Sequence, residues 1–151
     1  MALPNTDVIY SKAGDVQSSA LILAVNASLY DAAGTIGTDV YKVWGADTTN
    51  GGFLQRIRIK YVANATTTSV ACVMKFFWST ATSGATTNSN MFFLDEIVLP
   101  ATGALTTTAA NSPWDVMFNH ALPPGGIIYA KITVAQGAST GFIATGIGGK
   151  Y

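Results

Sequence analysis

Three cationic side chains occupy every second position in one short segment of this 151-residue chain. Arg56, Arg58 and Lys60 alternate with apolar residues in GGFLQRIRIKYV (51–62). In an extended strand, alternate residues share a face and lie about 6.6 Å apart. Two interpretations of this cationic face stay open: it pairs with carboxylates of neighbouring strands and is otherwise solvated, or it binds the acidic surface of a partner. A nucleic-acid partner fits less well, because such domains usually have a pI above about 9, whereas acids and bases balance here and the pI is ≈ 6.5.

The remaining reactive residue types do not combine into a catalytic or metal site. His120 and Cys72 are the single histidine and the single cysteine, so no zinc set of nitrogen and sulfur ligands can form. Asp95 and Glu96 are adjacent and would point to opposite faces of a strand, which excludes a carboxylate pair. The loop that contains Asp47 offers too few carboxylates for Ca²⁺, which takes six to eight oxygen ligands. We therefore expect no enzymatic activity, no metal, no cofactor and no small-molecule ligand.

Two further features have a functional and a structural interpretation. The glycine-rich TGIGGKY (145–151) lacks the strand–loop–helix context of a phosphate loop, and we interpret it as a flexible or turn-rich chain end. Trp44 lies at the end of a predicted strand, where an exposed ring would suit a sugar-binding platform. Trp78 and Trp114 fall on apolar parities and are predicted to pack in the core.

The surface is poor in charge. Charged residues make up 11% of the chain and the formal net charge is +0, against about 25% charged residues in a typical domain. A near-neutral exterior of Thr, Ser, Asn, Ala and Gly promotes association, so we expect an oligomer or a lattice of protein neighbours. No stretch reaches the roughly 20 apolar residues of a membrane helix, and no secretory signal is recognisable. We expect no membrane partner and synthesis in a cytoplasm.

Hydrophobic periodicity predicts strands throughout. In 70–78 every even position is apolar, and in 127–134 the apolar even positions alternate with Lys131 and Thr133. This period of two is typical of sheets that bury one face, and clusters of Gly, Pro, Asn and Thr separate the segments as turns. Eight strands are predicted, at about 17–25, 38–44, 53–63, 69–79, 90–99, 113–119, 126–134 and 140–148. Because several separators are too long for tight hairpins, we predict an all-β, jelly-roll-like antiparallel β-sandwich.

The predicted domain organisation is an N-terminal arm over residues 1–15 and a single β-sandwich domain over residues 16–151. In the cationic strand, Phe53, Ile57, Ile59 and Tyr61 are predicted to face the core. The arm stands outside the alternation, and a terminus of that kind is ordered when a partner binds it. The residues expected to contact a protein partner are Arg56, Arg58 and Lys60 of the strand and Asn5, Asp7, Tyr10 and Lys12 of the arm.

Four segments together resemble small structural proteins of tailed-phage and prophage particles. They are NGGFLQRIRIKYVANATTTSVACVMKFFW (50–78), LDEIVLPATGA (94–104), FNHALPPGGIIYAKI (118–132) and TGIGGKY (145–151). The resemblance covers about residues 16–151 and rests on turn and packing motifs. The chain departs from the pattern by its doubled proline in LPPGG (122–126) and by its extended arm.

The resemblance implies a decoration or cement protein of the phage head, with the major capsid protein and copies of itself, as a homotrimer, as partners. It implies a location on the capsid surface of the virion after synthesis in the host bacterium. Two alternatives stay open: another virion component in the tail, baseplate or head fibre, and a carbohydrate-binding jelly-roll module.

Overall fold

A computed structural model describes residues 13–26, 31–63, 67–103, 112–137 and 139–151. Within these ranges the chain forms strands and no helices, and so contains no helix that could cross a membrane. The strands are β1 (Ala13–Ser18), β2 (Gly34–Thr35), β3 (Tyr41–Gly45), β4 (Gly52–Val62), β5 (Cys72–Ser79), β6 (Ala85–Thr86), β7 (Phe92–Leu99), β8 (Trp114–Leu122), β9 (Ile127–Ile132) and β10 (Gly141–Lys150).

The eight strands of five or more residues form two four-stranded antiparallel sheets. One has the order β1-β10-β4-β8 and the other the order β3-β9-β5-β7, while β2 and β6 form a separate pair. If these eight strands are numbered along the chain, the orders are 1-8-3-6 and 2-7-4-5, which is the arrangement of a jelly roll. The predicted all-β, jelly-roll-like sandwich is confirmed, with ten strands in place of eight because β2 and β6 are two-residue strands.

The core lies between the two sheets and is rich in aromatic side chains. Tyr61 and Phe142 pack with ring centroids 5.5 Å apart within the first sheet. Phe76 and Phe118 meet edge to face across the sandwich at 5.3 Å. Ring pairs of this kind add about 0.5–1.5 kcal/mol each beyond the area that they bury, so the Phe76–Phe118 pair helps to hold the two sheets together.

A β-bulge changes which residues of β4 face the core. Ile57, Ile59 and Tyr61 are buried as predicted, but Leu54 is fully buried and Phe53 only half-buried. The predicted core position of Phe53 is therefore wrong. Relative to β10, β4 carries one extra residue between Leu54 and Arg56, and an extra residue reverses the alternation on either side of it.

The first predicted strand is misplaced. Within the predicted strand 17–25 only Gln17 and Ser18 lie in a strand, because β1 spans Ala13–Ser18. Residues 13–15 of the predicted arm therefore pair with β10. Beyond Ser18, Ile22 bonds to Phe142 of β10, whereas Val25 bridges Ile132 of β9, which belongs to the other sheet. The chain crosses between sheets here, so its apolar run cannot extend a single ladder.

The glycine-rich end belongs to a sheet strand. Its prediction as a flexible or turn-rich chain end is therefore wrong. Residues 145–150 belong to β10, which pairs with β1 on one side and β4 on the other. A Cβ built on Gly146 would lie 2.6 Å from the Cβ of Trp44, whose side chain is fully buried. Glycine at this position therefore allows close approach of the two sheets, which is a common reason for glycine in a strand interior.

The outer face of the β3-β9-β5-β7 sheet is partly covered by the chain itself. A second apolar cluster forms there from Ala32, Val40, Phe77, Met91, Ile127 and Tyr129. Lys131 is 1% exposed; its Nζ donates to the backbone oxygens of Asp31 and Ala33 at 3.0 and 3.1 Å and lies 4.6 Å from the Phe77 ring centroid. Burial lowers the pKa of Lys131, against the nearby carboxylates that raise it.

Candidate protein-binding surface

The outward-facing side chains of β1, β10, β4 and β8 form a surface that we call the open face. Strand register aligns these side chains in rows. One row contains Val16, Ile147, Arg56 and Met117, and the next contains Ser18, Thr145, Arg58 and Asp115. Val16 is 67% exposed and Met117 is 55% exposed. The open face therefore presents large apolar side chains beside the cations.

Arg58 is neutralised within the open face. Its Nε and Nη2 donate to the two carboxylate oxygens of Asp115, on the neighbouring strand β8, at 2.9 Å each. The hydrogen bonds from Arg58 lower the pKa of Asp115, and the same pairing raises the pKa of Arg58. This bidentate pair matches the first interpretation of the cationic strand, in which a cation pairs with a neighbouring carboxylate.

Arg56 and Lys60 differ from Arg58. Neither forms a salt bridge with another residue of the described part of the chain. The Nε of Arg56 is shielded from solvent and has no hydrogen-bond partner there. In register, Arg56 lies beside Ile147 and Lys60 beside Ile143 of β10. These two cations give the open face a positive charge next to apolar side chains, which suits an acidic and partly apolar protein surface.

The arm residues in the predicted interface, Asn5, Asp7, Tyr10 and Lys12, lie outside the described residues. Their contacts with a partner stay a prediction. The first described residue, Ala13, lies opposite Lys150 in the sheet that bears the open face.

The residues considered for catalysis or metal binding, His120 and Asp47, make contacts within their own strand or turn. His120 is exposed on β8 and its ring contacts that of Phe118. Asp47 accepts hydrogen bonds from the N–H groups of Thr49 and Asn50 in its turn. Across the described ranges, no three or more His, Cys, Asp and Glu residues are close enough together to hold a metal ion.

Trp44 and Cys72 are buried and so do not serve surface chemistry. Trp44, the candidate sugar platform, is fully buried, so that interpretation is wrong for this residue. Trp78 and Trp114 are half-buried and pack against the core as predicted. Burial raises the pKa of the Cys72 thiol to about 11, which keeps it protonated and unreactive near neutral pH.

The apolar side chains of the open face were absent from the predicted interface. Met117 has the same parity as Asp115, opposite to Val116 and Phe118, so the alternation in β8 already placed it on the outside. Val16 was missed because the predicted strand began at residue 17. A second exposed apolar group, Phe92, Phe93 and Leu94, lies on the edge strand β7 beside Asp95.

No protein-family model matches the chain, and neither the curated proteins nor the solved structures contain a significant match.

Proposed function

We propose that this chain is a bacteriophage head decoration, or cement, protein that binds the major capsid protein lattice on the capsid surface and stabilises the head. The observation that carries the proposal is the open face, where Arg56 and Lys60 stand without ion-pair partners in the described chain beside Val16, Ile147 and Met117. The low overall charge and the motif resemblance support the same function.

Stabilisation of a lattice by such a protein requires contact with several subunits at once. A homotrimer seated where capsid subunits meet would bind through three copies of the open face, and multivalent binding raises avidity without strong individual contacts. Specific interfaces of about 1,200–2,000 Å² hold proteins together stably. The cations guide an acidic partner into register, and the apolar side chains contribute the burial.

The location and copy number of the chain in purified particles test the function. Quantitative mass spectrometry of virions is expected to find roughly as many copies as there are lattice sites, in the hundreds, and labelling should place them on the head. About six or twelve copies, as set by tail or vertex symmetry, would assign the chain to the tail, baseplate or a head fibre and refute decoration.

A binding assay with charge-reversed variants tests the site. Arg56→Glu with Lys60→Glu is expected to weaken binding to capsids that lack the chain by at least tenfold, because two attractive contacts become repulsive. Lys42→Glu is the matched control for a single reversal, since Lys42 is exposed on β3 of the other sheet. Equal loss in Lys42→Glu, or unchanged binding of the double variant, would rule out the open face as the docking site.

A further inference from the structure

Strand β1 differs from the other edge strands of the two sheets. β8, β3 and β7 each contain an extra residue relative to the neighbour with which they pair, so all three are bulged. In β8 the bulge includes Asn119, which adopts a left-handed conformation (φ 50°), as asparagine tolerates. Bulges protect sheet edges against pairing with other chains. β1 pairs with β10 in unbroken register over all six residues and lacks this protection.

The free edge of β1 presents a regular set of backbone groups. The N–H of Ser19 bonds to the oxygen of Ala144 in β10, so the odd-numbered residues of β1 direct their backbone groups to β10. Gly14, Val16 and Ser18 therefore direct three N–H and three C=O groups away from the sheet. No partner for these groups is found in the described chain.

We propose that this edge binds β1 of a second copy, antiparallel and centred on Val16. Residues whose backbone groups point away from the sheet must lie opposite the same kind of residue in the second copy. This requirement excludes registers displaced by one residue. Centred on Val16, the pairing sets Val16 opposite Val16 and Gly14 opposite Ser18 of the second copy. All six outward backbone groups of each strand are then used, giving six hydrogen bonds between the copies.

The number of hydrogen bonds and the side chains favour this register over its two neighbours. Pairings centred on Asp15 or on Gln17 would form only four hydrogen bonds within β1, and the former would also place the two Asp15 carboxylates directly opposite each other, which destabilises a sheet pair. Centred on Val16, each Asp15 instead lies opposite Gln17 of the second copy, a carboxylate facing an amide. The exposed Val16 side chains pack on each other across the two-fold axis.

The pairing would join two sheets into one of eight strands. With a strand spacing of about 4.8 Å, the Arg56 positions of the two copies, separated by five strand intervals, would be about 24 Å apart on one continuous face. The consequence for capsid binding rests on the proposed function: such pairs would link protomers of neighbouring homotrimers, so that each pair presents two open faces to the capsid. The pairing itself does not depend on the capsid.

Disulfide trapping with the purified full-length protein tests the register. Val16→Cys is expected to form a cross-linked dimer on mild oxidation, because directly opposed, hydrogen-bonded residues have Cα atoms about 5.5 Å apart, within the range that a disulfide spans. Ser18→Cys is the matched control: it lies on the same face, but the two Ser18 Cα atoms would be about 14 Å apart. The native Cys72 is buried and does not interfere.

A mixture of two single variants makes the test independent of Val16. Gly14→Cys and Ser18→Cys are each expected to form no disulfide-linked dimer on oxidation alone, yet to cross-link to each other when mixed. A Cβ at Gly14 meets no atom within 4 Å, so the variant should fold, and circular dichroism checks this. The proposal is overturned if Val16→Cys does not cross-link, or if Ser18→Cys alone cross-links equally well. It is also overturned if Gly14→Cys is trapped with Val16→Cys and not with Ser18→Cys.

Discussion

Replacement of Gly146 by alanine tests the packing that brings the two sheets together. The added Cβ would lie 2.6 Å from Trp44 Cβ and 2.9 Å from both Cγ and Cδ1 of that ring. Carbon atoms in contact are normally about 3.5–4.0 Å apart, so β10 and β3 must separate by roughly 1 Å. Because Trp44 Cβ is fixed to the backbone, a rotation of the indole ring cannot relieve the closest contact.

Overpacking of this kind costs about 1–3 kcal/mol. For a chain of this length, 1 kcal/mol corresponds to about 2–4 °C in Tm, so Gly146→Ala should lower Tm by about 2–12 °C. Gly14→Ala is the matched control, a strand glycine of the same sheet whose Cβ would meet nothing within 4 Å. Thermal unfolding followed by circular dichroism measures both variants. A Tm for Gly146→Ala within about 1 °C of the parent would refute the described packing of Trp44 on β10.

Two further predictions follow from pKa shifts. Because the pKa of Cys72 is about 11, its thiolate fraction at pH 8 is about 0.1%. A thiol reagent should therefore modify the native protein at least a hundredfold more slowly than the urea-unfolded protein. Similar rates would show that Cys72 is accessible. Because the pKa of Asp115 is lowered, its stabilising effect is fully present above its unfolded-state pKa and is lost as pH falls through the folded-state value. Asp115→Asn should therefore lower the urea midpoint at pH 7, with a difference from the parent that shrinks below about pH 4, and a difference independent of pH would contradict the Arg58–Asp115 pairing.

The alternation of apolar residues was sufficient to predict the sandwich and much of its core. Met74 and Phe76 in β5, and Ile128 and Ile132 in β9, face inward as their parity predicts. Errors arose where backbone geometry interrupts the period of two. Because of the bulge in β4, Leu54 and not Phe53 faces the core. Nothing in the local composition marks that extra residue.

Other features depend on contacts distant in sequence. The parity of Lys131 correctly predicted that it faces away from the main core. It is nevertheless buried, because residues 31–33, about a hundred positions earlier, lie over it. The run around Ile22 has the composition of a strand, yet it crosses between sheets because Val25 pairs with β9.

The candidate site was predicted in part. The three cations do share a face, as their spacing of two requires. The division of roles among them, with Arg58 paired and Arg56 and Lys60 without salt bridges in the described chain, depends on Asp115 lying opposite Arg58 in the register of β8 with β4. A strand on another part of the chain, in a register that the sequence does not reveal, decides which of the three cations forms an ion pair.

The orientation of the chain on a phage head tests the central claim most directly. A cryo-EM map of the particle is expected to show the β1-β10-β4-β8 sheet towards the capsid, with Arg56 and Lys60 against acidic residues of the major capsid protein. A map in which this sheet faces solvent while the β3-β9-β5-β7 sheet contacts the capsid, or a head without the chain, would contradict it.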